Sequence, residues 1–189
     1  MKIISTEFPD VYIFEPDVYR DTRGYFYEKF NSKKLKDTIG DFQIIQGNQS
    51  KSKRGVIRGL HFQKPPYAQA KIVEVTKGFV LDIIVDIRTD SPTFGQYLSI
   101  ELSGTNKKIL FVPRGFAHGF ITLSNNALFQ YYVDNYYSPN HEGGIKFDDT
   151  YLNIDWKLKK HLIVSEKDRK LSGFKEQSFF TKAEFLALK

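Results

Sequence analysis

Between Gly55 and Val133 the sequence is cut into short apolar runs, each closed by turn residues. Gly78 breaks one run. Thr89-Asp90-Ser91-Pro92, Gly104-Thr105-Asn106, Pro113-Arg114-Gly115 and Ser124-Asn125-Asn126 separate the others. Within them, Leu81 to Arg88 alternates: Leu81, Ile83, Val85 and Ile87 share one face, and Asp82, Ile84, Asp86 and Arg88 the other. Tyr97 to Leu102, Ile109 to Val112, Phe116 to Leu123 and Leu128 to Val133 read as further strands. Strands at this spacing predict an antiparallel sandwich or barrel.

The flanks carry weaker signals. Ile3-Ile4 and Val11 to Phe14 are strand-like, Asp21 to Gly24 is a turn, and Tyr25 to Glu28 is strand-like again. Asn31-Ser32 can cap a helix over Lys33 to Ile39, which Gly40 stops. Phe42 to Gln46 is a strand candidate; Gln46 to Ser50 is polar, and Lys51 to Arg54 is mostly basic. Beyond Tyr137 the sequence predicts a loop with a short helical turn over Asp148 to Trp156. A turn capped near Ser165 and a terminal helix over Thr181 to Lys189 follow. The 189 residues are expected to form one domain: N-terminal strands over 1–45, a barrel over 46–137 and a C-terminal segment over 138–189.

Composition narrows the chemistry. The chain has no cysteine, which excludes disulfides and thiolate chemistry. Its net charge of +6 suits an anionic partner, but the charges are dispersed and no nucleic-acid-binding motif is present. An aromatic content of 15% suits strands and a pocket that stacks a flat ligand. The N-terminus lacks a signal-peptide pattern, and no apolar run is long enough to span a membrane, so a cytoplasmic soluble protein is expected.

Residues 55–78 hold the densest chemistry. Arg58 and His61 lie among Val56, Ile57, Leu60 and Phe62, and Lys71 precedes Ile72, Val73 and Val75. Charged groups on core-like strands call for partners or a site. The plainer alternative is a satisfied histidine and a lysine reaching to the rim. Pro113 to His118 resembles the second PxGxxH motif of cupins. A cupin metal site also wants His-x-His, and here the second position is Gln63, with no glutamate following. Two imidazoles and an amide make a poor metal cage. No metal is therefore expected, and a metal-dependent cupin oxygenase or isomerase is disfavoured.

Arg58 to Gln63 (RGLHFQ), Lys71, Pro113 to Phe120 (PRGFAHGF) and Asn135 to Pro139 (NYYSP) together resemble the dTDP-4-dehydrorhamnose 3,5-epimerase family. Asp21 to Phe26, Gln46 to Lys53 and Asp86 to Gly95 fit the same pattern, so the resemblance runs from about Phe8 to Phe174. It implies a mainly β, cupin-like double-stranded β-helix, or jelly roll, with a few short peripheral helices. It also implies a cofactor-free enzyme that inverts C3 and C5 of dTDP-4-dehydro-6-deoxy-D-glucose to give dTDP-4-dehydro-L-rhamnose. A member inverting C3 alone, or a non-catalytic cupin that binds sugar nucleotides, stands as the alternative.

Carried over residue by residue, His61 matches the base and Tyr131 the acid on the opposite face. Asp168 matches the carboxylate orienting the base, and Lys71 the cation at the enolate oxygen. His118 lies near the same oxygen in the family. Read locally, Asp168 is a turn cap and His118 a core histidine bonded to Asp82 or a carbonyl. Arg23, Arg58 and Lys167 match diphosphate ligands, and Tyr137 the ring stacked on thymine. Phe26, Glu28, Gln46, Asn48 and Glu142 match other substrate contacts. The Phe26–Glu28 segment serves the partner subunit in the family, which implies a homodimer. In a regular strand Arg58 and His61 face opposite ways, so a shared pocket requires a bulge near Gly59.

Overall fold

The computed structural model describes residues 1–187. Its N-terminal part holds β1 (Lys2–Ser5), β2 (Tyr12–Glu15), β3 (Tyr19–Asp21), β4 (Gly24–Phe26) and α1 (Ser32–Ile39). The central strands are β5 (Gln46–Lys53), β6 (Val56–Gln63), β7 (Lys71–Lys77), β8 (Phe79–Asp86), β9 (Tyr97–Ser103), β10 (Ile109–Val112), β11 (Phe116–Thr122) and β12 (Asn126–Val133). β13 (Glu142–Gly144), β14 (Ile163–Val164), α2 (Glu166–Arg169) and α3 (Lys182–Leu186) follow.

The strands form two main sheets, ordered β1-β2-β10-β7-β12-β5 and β13-β6-β11-β8-β9, with β14 added parallel to β6. The near-continuous apolar runs of β8, β10 and β11 follow from burial on both faces. On β8, Val80 and Ile84 pack between the sheets, with Val73, Val75, Phe120 and Phe129. Leu81, Ile83 and Val85 pack on the outer side, under C-terminal residues Ile145, Leu152, Trp156 and Phe174. The other sheet's outer face carries Phe14, Ile72, Ile109 and Phe111, covered by Leu35 of α1 and by Phe42. The C-terminal segment thus closes one side of the sandwich and α1 the other. Each large apolar side chain buried in these layers contributes about 1.5–3 kcal/mol.

α1 is bounded as expected. Asn31 accepts the Lys34 N–H, and Gly40, at φ 73°, closes it through its N–H to the Lys36 carbonyl. Two local expectations are corrected and a third is met. Phe42 to Gln46 is not a strand: Phe42 is a buried plug, and pairing begins only where the Ile45 N–H meets the Val133 carbonyl at 2.9 Å, just ahead of β5. β4 stops at Phe26, short of Glu28. Asp148 to Trp156 is the expected loop with one helical turn: the Asn153 N–H bonds the Asp149 carbonyl at 2.9 Å, and the Asp149 side chain caps the turn by accepting the N–H groups of Tyr151 and Leu152 and, from the far side, of Phe174. The terminal helix spans Lys182–Leu186 with Thr181 as its cap; the Leu188 and Lys189 end of that expectation lies outside the described residues.

Candidate active site

A cleft of about 680 Å3 opens between the sheets at one end of the sandwich. β6 and β11 supply His61 and His118 from one sheet; β7, β12 and β5 supply Lys71, Tyr131 and Asn48 from the other. Pairing of β11 with β6 passes from His118↔His61 to Phe120↔Arg58, two steps on β11 against three on β6. The extra residue is a bulge, and it brings Arg58 and His61 to the same cleft. Gly59, at φ 122°, makes it possible; a Cβ there would lie 2.6 Å from the Gly119 Cα and 2.8 Å from the His118 carbonyl oxygen.

Asp168 is buried, and its Oδ1 lies 2.8 Å from His61 Nε2. Its Oδ2 accepts the bulge N–H of Gly59 at 3.3 Å, while Ser165 caps the turn by accepting the Asp168 N–H at 3.0 Å. Burial pushes the carboxyl up, but the bonds from His61, Gly59 and Ser165 outweigh it and hold Asp168 below the usual carboxylate range. An ionised Asp168 accepts from Nε2–H and leaves the Nδ1 lone pair free. Asp168 thus meets the Ser165 cap with its backbone N–H and His61 with its side chain.

Lys71 is half-buried at the start of β7 and makes no ion pair among the described residues. Desolvation pushes its amine down to about 8, against the opposing pull of Asp82 and Glu142. His118 Nε2 lies 3.0 Å from both oxygens of Asp82. Burial lowers the imidazole and raises the carboxyl of this pair. Burial also raises the phenol of Tyr131, which stays a proton donor at neutral pH. Tyr131 faces the inter-sheet core beside Phe129, and Tyr132 packs on the outer face, as alternation requires.

At the mouth, Tyr137 Oη donates to Glu142 at 2.6 Å and Lys167 Nζ donates to both Glu142 oxygens at 2.8 and 2.6 Å. Arg58 Nε donates to Ser52 Oγ at 3.1 Å, linking the two sheets. Asn48 lines the cleft, and Gln46 reaches it only through a 3.0 Å bond from its Nε2 to Asn48 Oδ1. Arg23, Phe26 and Glu28 are not in the chain's own cleft. Arg23 pairs with Asp21 on the exposed β3–β4 hairpin, and Glu28 pairs with Lys34. No cluster of three His, Cys, Asp or Glu able to hold a metal occurs among the described residues.

The model of the dTDP-4-dehydrorhamnose 3,5-epimerase family matches residues 5–176. The chain belongs to that family. It is 46% identical to the family's enzyme from Shigella flexneri, over 95% of this chain and 99% of the relative. The crystal structure of the Elizabethkingia anophelis NUHP1 enzyme superposes with a TM-score of 0.91 at 49% identity, covering 95% of this chain and 99% of that one. The dTDP-6-deoxy-D-glucose-3,5-epimerase of Legionella pneumophila Philadelphia 1, solved with dTDP-4-keto-L-rhamnose, gives 0.90 at 41% identity, covering 100% and 98%. The two-sheet sandwich is thus the cupin-like jelly roll of this epimerase family.

Of two pairings in this epimerase-family cleft, one was legible in the sequence and one was not. His118 is bonded to Asp82, one of the two partners read locally for it, and the face Asp82 shares with Ile84 turns it between the sheets. Ser52, which anchors Arg58, is a buried hydroxyl in a polar edge strand and gave no signal.

Proposed function

We propose that the chain is a cofactor-free epimerase converting dTDP-4-dehydro-6-deoxy-D-glucose to dTDP-4-dehydro-L-rhamnose. One observation carries the reading: His61, held by Asp168 of α2, stands on one sheet and the phenol of Tyr131 on the other, across one cleft. Facing sheets lie about 10 Å apart, which leaves room for one sugar ring between base and acid.

The C4 ketone acidifies the C–H bonds at C3 and C5. His61 Nδ1 takes the C3 proton, and the electron pair moves into the enolate oxygen O4. Lys71, as the ammonium, stabilises that oxygen, near which His118 lies; one such donor is worth roughly 2.7–4 kcal/mol in the transition state. Tyr131 then gives its phenolic proton to C3 from the opposite face, so the centre inverts. Exchange with solvent restores both groups, and the same cycle acts at C5. Arg58 and Lys167 serve the diphosphate, and Tyr137 stacks on thymine, with Asn48, Gln46 and Glu142 beside them.

The reading extends to a homodimer. Phe26 is 70% exposed, and Arg23 lies with it on a hairpin that pairs with neither main sheet. Arg23, Phe26 and Glu28 then complete the partner's cleft. No helix among the described residues is long and apolar enough to cross a membrane, and a cytoplasmic location suits a sugar-nucleotide substrate.

Proton NMR of the purified protein with dTDP-4-keto-6-deoxyglucose in D2O tests the function. Deuterium at both C3 and C5 is expected. Label at C3 alone would make it a single-centre epimerase, and no label would refute catalysis. Tyr131→Phe should still label C3 while blocking most net inversion.

A further inference from the structure

Gln63 ends β6 two residues beyond His61, and strand alternation turns both side chains to the same face. The residue is only 7% exposed and lines the cleft. Its amide has one possible orientation. A backbone N–H can only donate, so the atom that Ser138 N–H meets at 3.0 Å is the carbonyl Oε1. The NH2 group therefore points away from Ser138. Among the described residues it meets no acceptor. Glu142 lies opposite in the β13–β6 register, but its oxygens are already held by Lys167 and Tyr137. Gln69, on the same cleft, is different: its Nε2 is consumed by the Asn135 carbonyl at 2.8 Å.

The amide thus has one end pinned and its donor end open on the cleft, free to meet a ligand. We propose that Gln63 Nε2 donates a hydrogen bond to an oxygen of the bound hexose. This rests on the epimerase reading above. The hexose is within reach: two strand residues span about 7 Å, so the amide lies within one sugar's reach of the base. The choice of residue also fits the chemistry. A neutral donor orients the sugar without adding a charge that would compete with Lys71 for the enolate. The position that would carry a second metal-binding histidine in a metal cupin here holds a substrate contact.

Two substitutions separate the donor from the Ser138 bond. Gln63→Glu keeps an acceptor for the Ser138 N–H and, ionised at pH 8, has no donor. Gln63→Met removes both without adding charge. Both are expected to lose about 3- to 10-fold in kcat/KM for dTDP-4-keto-6-deoxyglucose, the worth of one neutral hydrogen bond. Gln63→Glu is expected to keep wild-type affinity for dTDP, measured by calorimetry. Full kcat/KM in Gln63→Met overturns the assignment. So does a loss of dTDP affinity in Gln63→Glu that matches its loss in kcat/KM. A wild-type protein that exchanges no substrate proton with solvent would overturn the epimerase reading itself, and the Gln63 assignment with it.

Discussion

Replacing Lys71 by methionine should make the protein more stable and nearly inert. Burial lowers the amine from 10.5 to about 8. At about 1.36 kcal/mol per pKa unit, keeping it charged in the folded state at pH 7 costs roughly 3 kcal/mol. That is an upper figure, because the amine borders an open cleft. Between the folded and unfolded values the unfolded chain binds more protons, so wild-type stability rises as pH climbs from about 8 towards 10.5. Lys71→Met lacks this slope. Its advantage should be largest below pH 8 and fade to nothing by pH 10.5. Urea unfolding at pH 7 and at pH 10.5 measures both ends. In parallel, kcat/KM at pH 7 should fall about 10²- to 10³-fold through loss of the enolate's cation. A Lys71→Met protein less stable than wild type at pH 7, or one whose advantage persists unchanged at pH 10.5, would refute the reasoning.

His61→Asn and Asp168→Asn should each suppress solvent exchange of the substrate protons, and the double variant should lose little more than His61→Asn alone, because the two act as a unit. Losses that multiply would show independent action. Gly59→Ala should destabilise the fold by about 2–5 kcal/mol, since it adds a clash with the β11 backbone to a strained φ; a denaturation midpoint within error of wild type would contradict the bulge. The protein should be a dimer by light scattering at micromolar concentration. Mixing an Arg23→Ala chain with a His61→Asn chain should restore activity that neither has alone, because one shared cleft regains both groups. Activity no higher than the mean of the parents would exclude exchange across the interface.

The central strands were legible because their burial is two-sided: Leu81, Ile83 and Val85 face one core, and Val80 and Ile84 the other. β5 was not, since Gln46 to Lys53 is an edge strand held by pairing to β12 alone and carries polar residues on both faces. The bulge at Gly59 could be required from Arg58 and His61, but only given that both reach one pocket. Asp168 shows where local reading stops. Ser165 and its neighbours announce a capped turn, and they form one. Nothing near them in sequence reports His61, whose distance along the chain is 107 residues. The resemblance to a family supplied that pairing, and the packing of α2 against β6 supplies its physical cause.

That separation has a consequence for the order in which the protein is made. His61 leaves the ribosome 107 residues ahead of Asp168. Until the later residues emerge, Ile57, Leu60 and Phe62 also lack the cover of Leu152, Trp156 and Phe174. The nascent sandwich is then sticky on one side, and its imidazole has no carboxylate to hold the productive tautomer. One late segment ends both conditions at once. Chains cut short by interrupted translation or by proteases would keep His61 yet lack both the carboxylate that holds it and the cover of that face.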